Sequence, residues 1–174
     1  MRRITIVRHA KSSWDNPTLL DAQRPLNARG KDSAPMMGER LRKRGMSPDL
    51  LVSSPASRAV ETAHIIAGKL GYPQESIHQD SRLYHASVKD WFSVICSFPK
   101  DANHVLCFGH NPGLTHLYNI FSPEPQSNIP TCGIIDLTFD VDEWEDVTQA
   151  KPGFISYDYP KSKELETIVC ELAS

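Results

Sequence analysis

The strongest constraint on this chain is an alternation. Short runs of apolar, often β-branched residues are each followed by a stretch whose apolar positions recur at helical spacing. Ile4–Val7 is such a run, and its residue types suit a buried strand. Further strands are predicted over 49–53, weakly over 76–83, and over 104–109, 133–140 and 154–159. Helices are predicted over 32–44, 56–70, 88–98 and 112–121. In the second, Ala59, Val60, Ala63, Ile66, Ala67 and Leu70 form one apolar face that Gly71 closes. Pro35 favours a first-helix start near Asp32 with Ser33 as cap, and Ser87-x-x-Asp90 reads as a capping box. Residues 122–130 hold three prolines and read as a loop. Residues 146–150 are a possible partner for the last strand, and 165–172 fit either a short helix or a strand. Trp14, Trp91 and Trp144 read as packing residues.

This order predicts one domain over residues 1–174, a three-layer α/β/α sandwich around a mostly parallel sheet. Right-handed crossovers bring the C-terminal strand ends to one edge, where open α/β sheets place their sites. Three such ends carry groups that suit a phosphate. Arg8-His9 follows the first strand, Ser53-Ser54-Pro55 leads to Arg58, and Gly109-His110-Asn111-Pro112 follows the fourth. Arg82-Leu83-Tyr84-His85 ends the weak third strand. Arginine offers permanently charged, fork-shaped donors to phosphate oxygens. A neutral imidazole at His9 can attack phosphorus, and nearby cations disfavour its protonation. His110 can donate to the equatorial oxygens. Taken singly, Arg8 reads equally well as a surface cation, Arg58 as a solvated helix residue and His110 as a turn residue. Their joint occurrence at successive strand ends is what those readings leave unexplained. Lys11 is a weaker phosphate candidate. His64, His78, His104 and His116 read as structural or surface residues.

Composition excludes several classes. With 174 residues, 40% apolar and 23% charged content and a net charge of −2, the chain has no nucleic-acid footprint. No apolar run approaches the length of a membrane span, and polar residues from Arg8 onward argue against a signal peptide. The four cysteines form no C-x-x-C pair and suit reduced thiols in the cytoplasm. No zinc-type histidine spacing is present, so neither metal nor cofactor is expected.

The combination Arg8-His9, Ser53-Ser54-Pro55-x-x-Arg58-Ala59-x-Glu61-Thr62 and Gly109-His110-Asn111-Pro112 resembles the histidine phosphatase superfamily, with its phosphoglycerate-mutase-like fold. Arg8-His9-Ala10-Lys11-Ser12-Ser13-Trp14, Asp21 and Arg24-Pro25-Leu26-Asn27-x-x-Gly30 are similar to its SixA branch of small phosphohistidine phosphatases. The resemblance implies that His9 accepts the phosphoryl group. It also implies that Arg8, Arg58 and His110 complete the pocket, with Lys11, Ser12, Tyr84, His85 and Asn111 as further candidates. The expected partners are a phosphohistidine protein as substrate, and phosphate, sulfate or vanadate as pocket ligands. Many members of the superfamily carry a carboxylic acid after the third strand. Here the stretch reads Arg82-Leu83-Tyr84-His85-Ala86-Ser87, so the acid is Tyr84, His85 or absent. A small-phosphometabolite phosphatase or mutase is the alternative activity, and a non-catalytic phosphate-binding module is the alternative class.

Overall fold

The computed structural model describes residues 1–163 and 166–168. Its centre is one sheet in the order β3-β2-β4-β1-β5-β6-β7. The strands are β1 (Arg2–Arg8), β2 (Leu50–Ser53), β3 (His78–Gln79), β4 (His104–Gly109), β5 (Ile134–Phe139), β6 (Phe154–Asp158) and β7 (Glu166–Ile168). β1 to β4 and β6 point one way, while β5 and β7 run against them. The sandwich and the prevailing direction agree with the sequence reading, but the half of the sheet beyond β1 is joined by antiparallel ladders.

The helices are α1 (Ala28–Lys43), α2 (Ser57–Leu70), α3 (Val88–Ile95) and α4 (Gly113–Phe121). α1 and α2 bury Ala34, Met37, Leu41, Ala63 and Ile66 against Val7, Leu51, Leu106 and Phe108 on one face. α3 and α4 bury Trp91, Val94, Ile95, Leu114 and Leu117 against Ile4, Ile6, Val105 and Cys107 on the other. Alternate residues of the central strands thus serve opposite cores, because successive side chains of a strand point to opposite faces.

Several sequence expectations are corrected. The first helix starts at Ala28, not Asp32, because the Asn27 side chain accepts a hydrogen bond from the Gly30 amide and caps it. Pro35 lies inside that helix. It cannot donate to the Lys31 carbonyl four residues earlier, but Lys31 lies on the exposed side of the helix, where the loss of that bond costs least. The weak strand over 76–83 reduces to β3 flanked by 3-10 turns at Gln74–Ser76 and Ser81–Leu83. Glu145–Thr148 is a 3-10 turn, and β6 pairs with β5 and β7 instead. The chain after Pro160 forms β7 over Glu166–Ile168; Leu165 and residues 169–172 lie outside the described residues. Trp91 and Trp144 are buried, but Trp14 is 73% exposed, with the Arg24 guanidinium stacked 3.2 Å from its ring. The capping box at Ser87 and Asp90 is formed. Cys107 and Cys132 are buried free thiols and Cys96 is a half-buried one.

Register places the strand ends. Arg8 pairs with Gly109, Val7 with Ile134, and Ser53 with Phe108. The residues that follow β1, β2 and β4 therefore leave the sheet side by side. Buried Asp158 at the end of β6 pairs with Arg40 at 2.8 Å and with Arg44, tying α1 to this same edge. At the opposite end, Thr5 donates to Asp136 and contacts His104, while Arg3 grips Asp136 with two bonds.

One glycine is required by a close approach. A Cβ on Gly30 would sit 2.2 Å from the Lys11 carbonyl oxygen, which is backbone and accepts from Asn27. The substitution Gly30→Ala must push α1 away from the segment after His9. Forced overpacking costs roughly 1–3 kcal/mol. The expected result is a lower urea midpoint with an unchanged denaturant slope, read by circular dichroism.

Candidate active site

Arg8, His9, Arg58 and His110 converge at the strand edge, as the sequence reading requires. His9 follows β1 and is 8% exposed. Its Nδ1 lies 2.7 Å from the carbonyl oxygen of Ala10, a distance that assigns the ring proton to Nδ1. Nε2 is then the lone-pair nitrogen, and Arg58 Nε donates to it at 3.3 Å. Burial is the main reason the His9 pKa falls to about 4. The Ala10 carbonyl opposes that shift, and the charges of Arg58, Arg8 and Arg24 add to it. His9 is neutral at neutral pH, chiefly because it is dry and secondarily because cations surround it.

Arg58 lies in the first turn of α2 and is itself buried. Its Nη1 donates to the Asp21 carbonyl at 2.6 Å and its Nη2 to Asp21 Oδ2 at 2.9 Å. Its backbone carbonyl accepts from Thr62, whose Oγ1 in turn accepts from the Ala10 amide. That chain of bonds locks α2 to the residue after His9. Arg8 donates from Nη1 to the Ile129 carbonyl at 2.6 Å and to Asn128 Oδ1 at 3.3 Å, leaving its buried Nε without a partner. Burial, reinforced by Arg58, lowers the Arg8 pKa.

The His110 ring centroid lies 5.0 Å from that of His9. Its Nε2 is 2.7 Å from Ser54 Oγ, and its buried Nδ1 has no partner. Ser54 Oγ also accepts from the Ala56 amide. When the Ser54 proton lies in the bond to His110 Nε2, the His110 proton is on Nδ1 and can be donated. Burial, then the neighbouring His9 and Arg58, hold the His110 pKa far below its usual range. Arg8 Nε and His110 Nδ1 are two buried polar atoms at this edge without a hydrogen-bond partner among the described residues. Unpaired buried donors are costly, and an anion in the cleft is the kind of partner that would satisfy them.

The weaker candidates separate. Tyr84 belongs to the cluster: its ring meets His110 edge-on at 5.5 Å, and its hydroxyl donates to Asp21 Oδ2 at 2.7 Å. Burial, then Asp21, raises the Tyr84 pKa. His85 stands at the rim, 3.5 Å from Asp21 Oδ2, with a positive φ of 53° that side chains rarely adopt. Asn111 faces the loop instead, donating to Asn128 and Ile129, the same groups that hold Arg8. Ser12 is buried and accepts from Arg24, so it braces the loop. The Lys11 side chain is exposed, with no ion-pair partner among the described residues, and lines a neighbouring groove. His64, His78 and His116 are exposed.

Asp21 is the residue that sequence reasoning placed in a motif but not in the site. It receives Arg58, Tyr84 and Arg24, the last at 3.0 Å. Burial opposes its ionisation, yet the bonds from Tyr84, Arg58 and Arg24 outweigh burial and hold it well below the carboxylate range. The i,i+3 spacing of Asp21 and Arg24 was the available signal. Asn128 and Ile129, which position Arg8 from across the chain, left none. Among the described residues, no group of three or more His, Cys, Asp or Glu is arranged to hold a metal ion.

The buried histidines predict how stability depends on pH. His9 and His104 fall from 6.5 to about 4, and His110 falls further. Between pH 6.5 and 4 the unfolded chain takes up protons that the native state refuses. Stability is therefore full above about pH 7 and declines as the pH drops through that window. Each such histidine contributes a slope of up to about 1.4 kcal/mol per pH unit. Urea midpoints from pH 8 to 5 should show the decline, and His104→Gln, which lies far from the cleft, should make it shallower.

Comparison with known proteins agrees with this geometry. An uncharacterized chloroplastic protein of Arabidopsis thaliana is 28% identical over 153 residues, covering 83% of this chain and 70% of its own length. Phosphoglycerate mutase 1 of Saccharomyces cerevisiae is 35% identical over 71 residues, 40% of this chain and 29% of the mutase. Among solved structures, the SixA protein of Agrobacterium tumefaciens superposes with a TM-score of 0.75 at 25% identity, covering 91% of this chain and 98% of that one. The family model of the histidine phosphatase superfamily (branch 1) matches residues 4–95, more than half of the chain. The chain belongs to the histidine phosphatase superfamily and is a SixA-like member of it.

Proposed function

We propose that this phosphatase works without metal, through a phosphoryl group carried on His9 Nε2, and that its substrate is phosphohistidine on a protein in the cytoplasm. The observation that carries the reading is the state of His9. Its proton sits on Nδ1 against Ala10, and its lone pair lies on Nε2 among Arg58, Arg8 and His110. In the first step Nε2 attacks phosphorus in line and the bond from phosphorus to the substrate nitrogen breaks. Its electron pair goes to the substrate imidazole, which carries a proton on its other ring nitrogen and so leaves neutral. The ring becomes positively charged, and the Ala10 carbonyl stabilises it through Nδ1–H. Arg8 Nε, Arg58 and His110 Nδ1 donate to the equatorial oxygens as charge moves through the transition state. In the second step water attacks phosphorus, the bond to Nε2 breaks, and dihydrogen phosphate leaves a neutral His9. The SixA relative supports phosphohistidine as the substrate class. The buried thiols Cys107 and Cys132 suit a reducing compartment.

The same site favours good leaving groups. Asp21 is held as a carboxylate and Tyr84 is engaged by it, so neither readily gives up a proton. His85 is the remaining candidate acid, at the rim. An imidazole leaves easily because its conjugate acid has a pKa of about 6.5, whereas an alkoxide must be protonated. The second reading is a phosphatase or mutase for small phosphometabolites, which the match to phosphoglycerate mutase favours.

Several measurements test these readings. Rapid alkaline quenching with labelled substrate should trap an acid-labile, base-stable phosphate on the protein, absent in His9→Ala. Arg8→Ala and Arg58→Ala should each slow turnover by about 10²–10³-fold, the usual loss for one transition-state donor. Activity should survive EDTA, and vanadate should compete with substrate. Label retained in His9→Ala, or activity lost to chelation and restored by a divalent ion, contradicts the proposal. Separately, kcat/KM across leaving groups of graded pKa should fall steeply from phosphohistidine through aryl phosphates to phosphoserine and 3-phosphoglycerate. His85→Ala should affect the esters more than phosphohistidine. A flat dependence supports the metabolite reading, and binding without any turnover supports a non-catalytic module.

A further inference from the structure

A groove of about 450 Å³ lies beside the His9 cleft and takes no part in the chemistry above. Its walls come from three places. One is the first three turns of α1, with Arg29, Asp32, Ser33 and Met36. Another is Pro130 and Thr131, between Ile129, which holds Arg8, and Cys132, whose amide bonds the Arg8 and His9 carbonyls. The third is Tyr159 to Lys161, after β6. Lys11, two residues beyond His9 in the chain, lines the groove as well.

The walls are built, not incidental. Arg40 donates to the Tyr159 carbonyl at 3.2 Å and the Ser162 carbonyl at 3.1 Å while pairing with buried Asp158. That brace fixes residues 159–162 against α1. Gly30 brings the other end of α1 onto the Lys11 carbonyl. The lining is amphipathic. Met36, Pro130, Tyr159 and Pro160 give apolar surface, and Met36 is 38% exposed. Lys11, Arg29 and Lys161 are exposed cations with no ion-pair partner among the described residues, against one acid, Asp32. Three of the large apolar side chains that the described residues expose, Trp14, Leu20 and Met36, lie in the β1–α1 segment or in α1 itself.

We propose that this groove docks an acidic segment of the phosphoprotein substrate. An apolar side chain would lie against Met36 and Tyr159, and carboxylates would lie on Arg29 and Lys161. The inference rests on the reading that the phosphohistidine is carried by a protein. Charge complementarity argues for the acidic character. The apolar floor argues for a peptide over a bare anion, which the cleft itself would take. Continuity through Lys11 places the segment within a few residues, or one surface patch, of the phosphohistidine. β7 runs antiparallel to β6, away from this edge, so the described chain does not lead back to the groove.

The test separates docking from turnover. Fluorescent peptides carry a non-hydrolysable phosphoryl-triazolylalanine analogue of phosphohistidine, flanked by Glu and Leu, by Ser and Gly, or by Lys and Leu. Binding to the full chain is read by anisotropy. The Glu/Leu peptide should bind roughly three- to tenfold more tightly than the neutral one, as a few exposed ion pairs allow, and the gain should fade with salt. Arg29→Glu and Lys161→Glu should abolish the gain, and Met36→Ala should remove the contribution of Leu. All three should hydrolyse p-nitrophenyl phosphate like the parent, which also reports correct folding. Equal binding of acidic and basic peptides, or a gain that survives both charge reversals, overturns docking. So does a dimer that Lys161→Glu dissociates, or a gain in peptide affinity on removing the residues after Ile168. If acidic peptides bind as expected but phosphohistidine peptides are not hydrolysed, docking stands and the proposed substrate falls.

Discussion

The site rests on how Arg58 is held. A guanidinium buried beside a second guanidinium and two imidazoles is costly to bury unless a carboxylate and a carbonyl face it. Asp21 supplies both, through Oδ2 and its own backbone oxygen. With Nη1 and Nη2 so engaged, Nε is directed onto His9. Arg58 is buried and Asp21 is half-exposed, so removing Asp21 would leave the buried guanidinium without its carboxylate partner. Asp21 belongs to the loop after β1, Arg58 to α2 and Tyr84 to the segment after β3. One carboxylate thereby binds together three pieces of chain that the sheet has already brought to one edge.

The second support is the dryness of the cleft. His9 and His110 are neutral mainly because they are buried. The surrounding arginines would repel a proton, but in a wet cleft that repulsion would be screened. Burial comes from the strand ends themselves, where Gly109 allows the Trp91 ring to lie close against β4. Packing and chemistry are linked at this point, since a looser fit there would admit water beside His110.

Tyr84 and His85 are neighbours in the chain but differ in their surroundings. Read as a string, Tyr84 and His85 are equal candidates to protonate a leaving group. In space Tyr84 donates to Asp21 and helps to orient Arg58, while His85 stands at the solvent rim in a left-handed backbone conformation. The sequence-stated roles of Asn111 and Ser12 shift in the same way. Both touch groups that position the arginines, through Asn128 and Ile129 in one case and Arg24 in the other.

The sequence by itself determined the alternation of strands and helices, the edge on which the strand ends gather, and the four residues at its centre. These are legible because strand and helix periodicities are local, and because each of the four lies at or next to the end of an element that the pattern reveals. Tertiary structure alone decided the rest. Pro35 read as a first-turn residue of a helix starting near Asp32, and its place deep inside α1 was not legible, since the cost of a lost backbone bond depends on which side of the helix faces solvent. The place of β6 next to β5, and not beside residues 146–150, depends on pairing between segments distant along the chain. Asp21 holds Arg58 across 37 residues, and Ile129 holds Arg8 across 121. Contacts at such separations leave no period in the sequence, because they are set by how the layers close, and only the folded chain shows them.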